Sequence, residues 1–278
     1  MNRDEVFSIL DQYGLSAKKS LGQNFLCNEE VIGEILDLAE LDKTTTCLEI
    51  GPGLGALSEK TVLIAGEYLA VEIDTRFQER LCDVIEKQGG SVVYKDYLAI
   101  GKEDLPNGFA PQVILSNLPY YVMTPIILKL MRDFPCCRKM VLMVEEEACD
   151  RIFARAKTKQ YGPLAVLTDL FGIKKKCFTV DGGSFVPPPN TTSAVIVIER
   201  DEKSGYEWDP MIIGFVESAF ALRRKTLVNS LSSGGRYSKD AIVDALTEVG
   251  KKENVRSEEM EPSDFRKLFE FLQGRKDK

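Results

Sequence analysis

Histidine is absent from this chain. That excludes Ser-His-Asp triads, imidazole general bases and histidine-ligated metal centres, so any chemistry runs without the commonest proton shuttle. Apolar runs long enough to cross a membrane are missing too, and the charged opening MNRDEVFSILDQYG is unlike a signal peptide. A soluble, cytoplasmic protein with no membrane partner is expected. CxxC spacing is lacking among the seven cysteines (27, 47, 82, 136, 137, 149 and 177). An odd number of cysteines, several inside apolar runs, reads as buried thiols in a reducing cytosol, with no metal site. Net positive charge is lacking as well: 36 Lys and Arg stand against 43 Asp and Glu, a formal −7. Alone, that balance argues against nucleic acid as a partner. It hides three local basic clusters, Lys18-Lys19, Lys174-Lys175-Lys176 and Arg223-Arg224-Lys225, each of which by default is only a solvated face.

What is present is globular. The 278 residues, 44% hydrophobic and 28% charged, suffice for one or two domains. From Thr46 to Glu199 short apolar runs alternate with segments of helical spacing. The runs are CLEI (47–50), YLAVEI (68–73), SVVYK (91–95), VILSN (113–117), KMVLMVE (139–145), KKCFTV (175–180) and SAVIVIE (193–199). Such alternation predicts an α/β domain with a mostly parallel sheet. The last two runs lie close enough in sequence for an antiparallel partner. Asn28 is placed to cap a helix over EEVIGEILDLAE. Beyond the polar stretch DEKSGYEWDP the chain reads helical, as MIIGFVESAFALRRKTLVNSL, SKDAIVDALTEVG and PSDFRKLFEFLQ. The predicted organisation is an α/β domain over 1–204 and a small all-α domain over 205–278.

LEIGPGLGALSE (48–59) follows the first of these strands and opens a helix. Gly51, Gly53 and Gly55 allow a sharp turn and close approach of backbone to a ligand at the carboxyl edge of the sheet. The second strand ends at Glu72, whose carboxylate can accept hydrogen bonds from both hydroxyls of a ribose. The third is followed by Asp96, placed to meet an adenine amino group. These features fit NAD and S-adenosylmethionine alike, although Glu49 just before the glycines is unlike the usual dinucleotide fingerprint.

The fourth strand ends in Asn117-Leu118-Pro119-Tyr120-Tyr121. Asn and Pro alone make a strand-terminal turn. Adenine's exocyclic amine, however, is a poor nucleophile because its lone pair is delocalised. Two acceptors, Asn117 Oδ1 and the Leu118 carbonyl, would orient that amine and stabilise the positive charge developing on it. Pro119 biases Leu118 toward extended backbone, and Tyr120 offers a face on which a base can stack.

The segments KKSLGQNFL (18–26), LEIGPGLGALSE (48–59), VEIDTRF (71–77), NLPYYV (117–122), FVPPPNTTSAVIVI (185–198) and FALRRKTLVNSL (220–231) occur in this order. Together they resemble the KsgA family of bacterial small-subunit rRNA adenine dimethyltransferases, from about Ser16 to the C-terminus. The resemblance implies a Rossmann-like class I methyltransferase fold and S-adenosylmethionine held by Asn24, Leu26, Gly51, Glu72, Asp96 and Asn117. It implies a target adenine stacked on Tyr120 and closed over by Phe185. It also implies dimethylation of two adjacent adenosines near the 3′ end of 16S rRNA, on a maturing small subunit, by a monomer. Lys18, Lys19, Arg223, Arg224 and Lys225 are the candidate RNA contacts, with the two N-terminal lysines equally placed to lie near the cofactor. Glu145, Glu146 and Glu147 stand where relatives typically carry a Gln-Lys pair, and Asn190 where they commonly carry lysine. The alternatives are an Erm-type methylase of large-subunit rRNA, a non-catalytic ribosome-assembly or transcription factor on a methyltransferase scaffold, and a protein-glutamine methyltransferase.

Overall fold

The structure is a computed structural model that describes residues 1–119, 122–201, 207–222 and 224–274. Its strands are β1 (Phe25–Leu26), β2 (Thr46–Ile50), β3 (Glu67–Glu72), β4 (Ser91–Tyr94), β5 (Val113–Asn117), β6 (Lys139–Glu145), β7 (Gly172–Val180), β8 (Phe185–Val186) and β9 (Ser193–Arg200). Its helices are α1 (Arg3–Gln12), α2 (Glu29–Ala39), α3 (Ser58–Ile64), α4 (Gln78–Val84), α5 (Met123–Asp133), α6 (Glu146–Ile152), α7 (Pro163–Phe171), α8 (Met211–Phe220), α9 (Leu227–Ser233), α10 (Lys239–Glu248) and α11 (Pro262–Gly274).

Seven strands form one sheet in the order β4-β3-β2-β5-β6-β9-β7, and β1 pairs with β8 in a separate antiparallel ribbon. Pairing is parallel from β4 through to β6 and antiparallel between β6 and β9. The central strands are mostly apolar because both faces are covered: Leu48, Ile114, Leu115 and Leu142 are all buried. Edge strand β7 differs. It carries three consecutive lysines, Lys174 to Lys176, which leave the edge charged and unattractive to other strands. The chain runs β2 to β3 to β4 in one direction and β5 to β6 in the other. The order therefore reverses between β2 and β5, the place where sheets of this kind open a crevice.

Asn28 caps α2 as its position predicts, accepting from the backbone N–H of Glu30 and Val31. Helix α1 falls in the opening stretch that the composition marks only as charged. Asn2 and Glu5 make a reciprocal capping box at its start.

The chain divides into two compact units. One contains the sheet. The other comprises 131–135, 150–173 and 201–278, so it takes in α7 from mid-chain as well as α8 to α11. The expected boundary near 204 lies outside the described residues. Within the helical unit, Trp208 stacks edge-on against Phe171 at 5.1 Å and its indole N–H donates to the Met131 carbonyl at 3.0 Å. Tyr161 donates to the Met260 carbonyl at 2.7 Å, joining the α7 segment to the C-terminal helices. The segment MIIGFVESAFALRRKTLVNSL, expected as one helix, is two. Thr226 accepts from Asn229 N and starts α9 afresh after a turn closed by Lys225 N to Leu222 O.

None of the seven cysteines is in a disulfide; Cys27, Cys47, Cys137 and Cys149 are buried, whereas Cys136 is exposed.

Candidate functional site

The sheet register aligns the site. Ile50 of β2 is opposite Val71 of β3 on one side and Ser116 of β5 on the other. The next residue of each strand, Gly51, Glu72 and Asn117, therefore forms a row at the carboxyl edge where the strand order reverses. Cross-ties hold the row: Gly51 N donates to the Val71 carbonyl at 2.9 Å, and Ser116 Oγ to the Ile50 carbonyl at 2.7 Å.

An open cleft lies over this row. Asn24, Leu26, Gly51, Gly53, Glu72, Asn117, Leu118 and Pro119 all line it, drawn from four separate segments of the chain. Gly51 adopts φ +71°, and a Cβ added there would meet open space, so its bare backbone faces the cleft. A side chain would fill that cradle.

Two buried carboxylates underlie the glycine loop. Glu72 is 3% exposed; it accepts from Gly53 N at 3.0 Å and from Asp74 N at 2.8 Å. Burial raises its pKa, against the lowering effect of the Asp74 and Gly53 N–H groups. It thus holds the loop in place as well as facing the cleft. Glu49 accepts from Ser58 Oγ at 2.9 Å and from Tyr68 OH. Burial pushes its carboxyl up to about 7.

Asn117 is oriented from its nitrogen end. Nδ2 donates to the Asn24 carbonyl at 3.2 Å, which leaves Oδ1 as the amide's acceptor. Leu118 N donates to the Met143 carbonyl at 3.0 Å, so the turn after β5 is anchored to β6. Tyr120 and Tyr121 lie outside the described residues, as does Arg223.

Two expected site residues are placed elsewhere. Asp96 is exposed and outside the cleft lining, where its carboxylate accepts from Leu98 N at 2.9 Å and starts a short 3-10 turn. Phe185, expected to close over a base, is only 1% exposed. It belongs to β8, opposite Leu26, and packs in the core with Phe25 and Val186. Each placement depends on a local turn or a ribbon pairing across the chain.

Lys18 and Lys19 are both exposed, and Lys18 approaches Asp74 at 3.6 Å beside the cleft. Arg224 and Lys225 are exposed in the turn before α9. Among the acidic departures, Glu146 pairs with Lys176 at 2.7 Å. Sequence reasoning did not assign Gln23, Phe25, Leu54, Phe77 or Ile73, which also line the cleft. All five sit inside or beside the quoted motifs, and their apolar or amide character was the available signal.

The family model described as "Ribosomal RNA adenine dimethylase" matches residues 14–273. The "Ribosomal RNA small subunit methyltransferase A" of Geobacillus sp. (strain WCH70) is 37% identical, covering 98% of this chain and 99% of that one. The protein of the same name from Listeria monocytogenes serotype 4a (strain HCC23) is 38% identical, covering 95% and 93%. Among solved structures, a dimethyladenosine transferase from Plasmodium falciparum superposes with a TM-score of 0.72 at 24% identity, covering 90% of this chain and 98% of that one. The 23S rRNA methyltransferase ErmE superposes at 0.61 with 23% identity, covering 90% and 100%. At those identities the two structures speak for the fold.

Proposed function

The chain belongs to the ribosomal RNA adenine dimethylase family, and from that membership and the geometry of the cleft we infer its reaction. It is an rRNA adenine dimethyltransferase that methylates the exocyclic amines of two adjacent adenosines in 16S rRNA during maturation of the ribosome. The observation that carries the assignment is the tethered amide: Asn117 Nδ2 is engaged by the Asn24 carbonyl, so Oδ1 is the end that accepts from a substrate amine.

S-adenosylmethionine fits the cleft in this reading. The bare Gly51 backbone makes a cradle, and Glu72 and Asn24 supply polar groups at its wall. When bound, S-adenosylmethionine supplies a methyl group made electrophilic by its sulfonium. The protein's residues do the rest. Asn117 Oδ1 and the Leu118 carbonyl accept from the adenine amine, directing its lone pair and offsetting the charge that builds on nitrogen. The anchored turn keeps those acceptors in position without reorganisation during reaction. No residue need be a tuned base, since the alkylated amine releases its proton to water; a chain without histidine suits that chemistry. The target base must leave its stack to reach such a cleft.

The small ribosomal subunit as the docking partner belongs to the same proposal, supported by the relatives' names. A cytoplasmic site of action follows from that substrate.

The test incubates the protein with methyl-labelled S-adenosylmethionine and small subunits lacking the modification. Dimethyladenine at two neighbouring positions is expected. Label confined to large-subunit RNA would overturn the substrate assignment, and cofactor binding without turnover would overturn the activity. Asn117→Ala should cut turnover by at least about a hundredfold, the loss seen when one preorganised transition-state contact is removed, with the variant still folded by circular dichroism.

A further inference from the structure

Lys19–Leu21 form a 3-10 turn, exposed at Lys19 and Ser20, and the hydrogen bonds around it are short-range: Leu21 N to Lys18 O, Gly22 N to Lys19 O and Gln23 N to Lys18 O. Gly22 then takes φ +63° and turns the chain toward β1. The half-buried residues that follow, Leu21, Gly22, Gln23 and Asn24, supply one wall of the cleft. Its position therefore needs an external anchor.

The anchor is Asp74, two residues beyond Glu72. Its side chain is 2% exposed, and its oxygens gather donors from both sides. Gln23 Nε2 donates at 2.9 Å, Arg76 Nη2 at 2.6 Å and Arg76 Nε at 3.0 Å, and Lys18 Nζ stands at 3.6 Å. Gln23 passes the restraint on, because its Oε1 accepts from Lys18 N at 2.8 Å. The next residue, Asn24, presents the carbonyl that holds Asn117 Nδ2. One carboxylate is thus linked through a single side chain to a cofactor-cleft wall and, one residue on, to the amide proposed to orient the substrate.

We propose that Asp74 is a positioning residue, whose tie to Gln23 and Lys18 holds the 18–24 segment as the wall of the cofactor cleft and thereby sets the Asn117 amide. The Arg76 guanidinium foremost, then Gln23, keep the Asp74 carboxyl well below the usual carboxylate range, so the anchor is charged at any physiological pH. Hydrogen bonds to an ionised acceptor are about twice as strong as neutral ones, which suits one group to hold an otherwise solvated turn.

The proposal rests on the cleft being the S-adenosylmethionine site, so the parent chain is titrated first with S-adenosylhomocysteine by calorimetry. Absence of binding by the parent overturns that reading and the anchor with it. Given parent binding, Asp74→Asn and Gln23→Ala cut the tie from opposite ends. Each should weaken S-adenosylhomocysteine binding about tenfold or more, raise KM for S-adenosylmethionine and leave KM for the small subunit unchanged. The double variant should be little worse than either single one, because both remove the same tie. Gln23→Ala removes a half-buried side chain, so it reports even if Asp74→Asn folds poorly. Parent-like affinity and KM in Gln23→Ala, or a loss of melting temperature with no change in the cofactor KM, would overturn the anchor alone.

Discussion

Glu49 carries a pH dependence that belongs to one residue. It is 2% exposed beneath the glycine loop, with burial outweighing the hydrogen bonds from Tyr68 and Ser58. Its carboxyl is raised from the ordinary 4.5 to about 7. Folding therefore takes up a proton across that window. The stability this group contributes is full below pH 4.5 and declines as pH rises toward 7, by about 3 kcal/mol in total. Glu49→Gln is neutral at every pH. Urea denaturation of both proteins between pH 5 and 8 should show the parent gaining on the variant as pH falls. A constant difference would mean that Glu49 is ionised throughout. In sequence Glu49 is visible only as an acid before the glycines. Its protonation comes from burial, which outweighs the hydrogen bonds the fold brings to it from Ser58 on the next helix and Tyr68 on the next strand.

At the scale of elements, helix α9 depends on its cap. Thr226 is extended, at φ −66° and ψ 156°, and its hydroxyl accepts from Asn229 N. Thr226→Ala should lower stability by about 1 kcal/mol and Thr226→Ser by much less, measured by urea titration. A silent Thr226→Ala would show that packing of Leu227, Val228 and Leu231 alone fixes where α9 begins. The same cap explains why sequence spacing runs α8 and α9 together: apolar periodicity continues through the turn, and only the threonine marks the new start. The central sheet strands were legible because they are near-continuous apolar runs, the pattern of a strand covered on both faces. The ribbon of β1 with β8 was not. Each strand has two residues, and Phe25 meets Val186 across most of the chain. That pairing buries Phe185, so its place in the core could not be read from FVPPP alone. The Asn117 row, by contrast, was readable because strand ends and topology fix it together.

For the whole molecule, a formal charge of −7 repels RNA at long range, so binding must be concentrated in local basic clusters. The structure ranks them. Lys18 is engaged by buried Asp74, and Lys176 pairs with Glu146 at 2.7 Å. Partial neutralisation leaves both poorer ligands for phosphate. Arg224 and Lys225 are exposed in the turn that Thr226 closes, which makes that turn the main phosphate contact in our reading. Each phosphate neutralised releases counterions and contributes a slope of roughly 0.7–0.9 to the dependence of log affinity on log salt. Arg224→Glu combined with Lys225→Glu should therefore weaken small-subunit binding at least about tenfold at low salt and flatten the salt dependence by between one and two. S-adenosylhomocysteine affinity serves as the control and should stay at the parent value. An unchanged slope with reduced affinity would move the phosphate contacts elsewhere, to Lys19 or the β7 edge, because only a residue that releases counterions can alter how binding responds to salt.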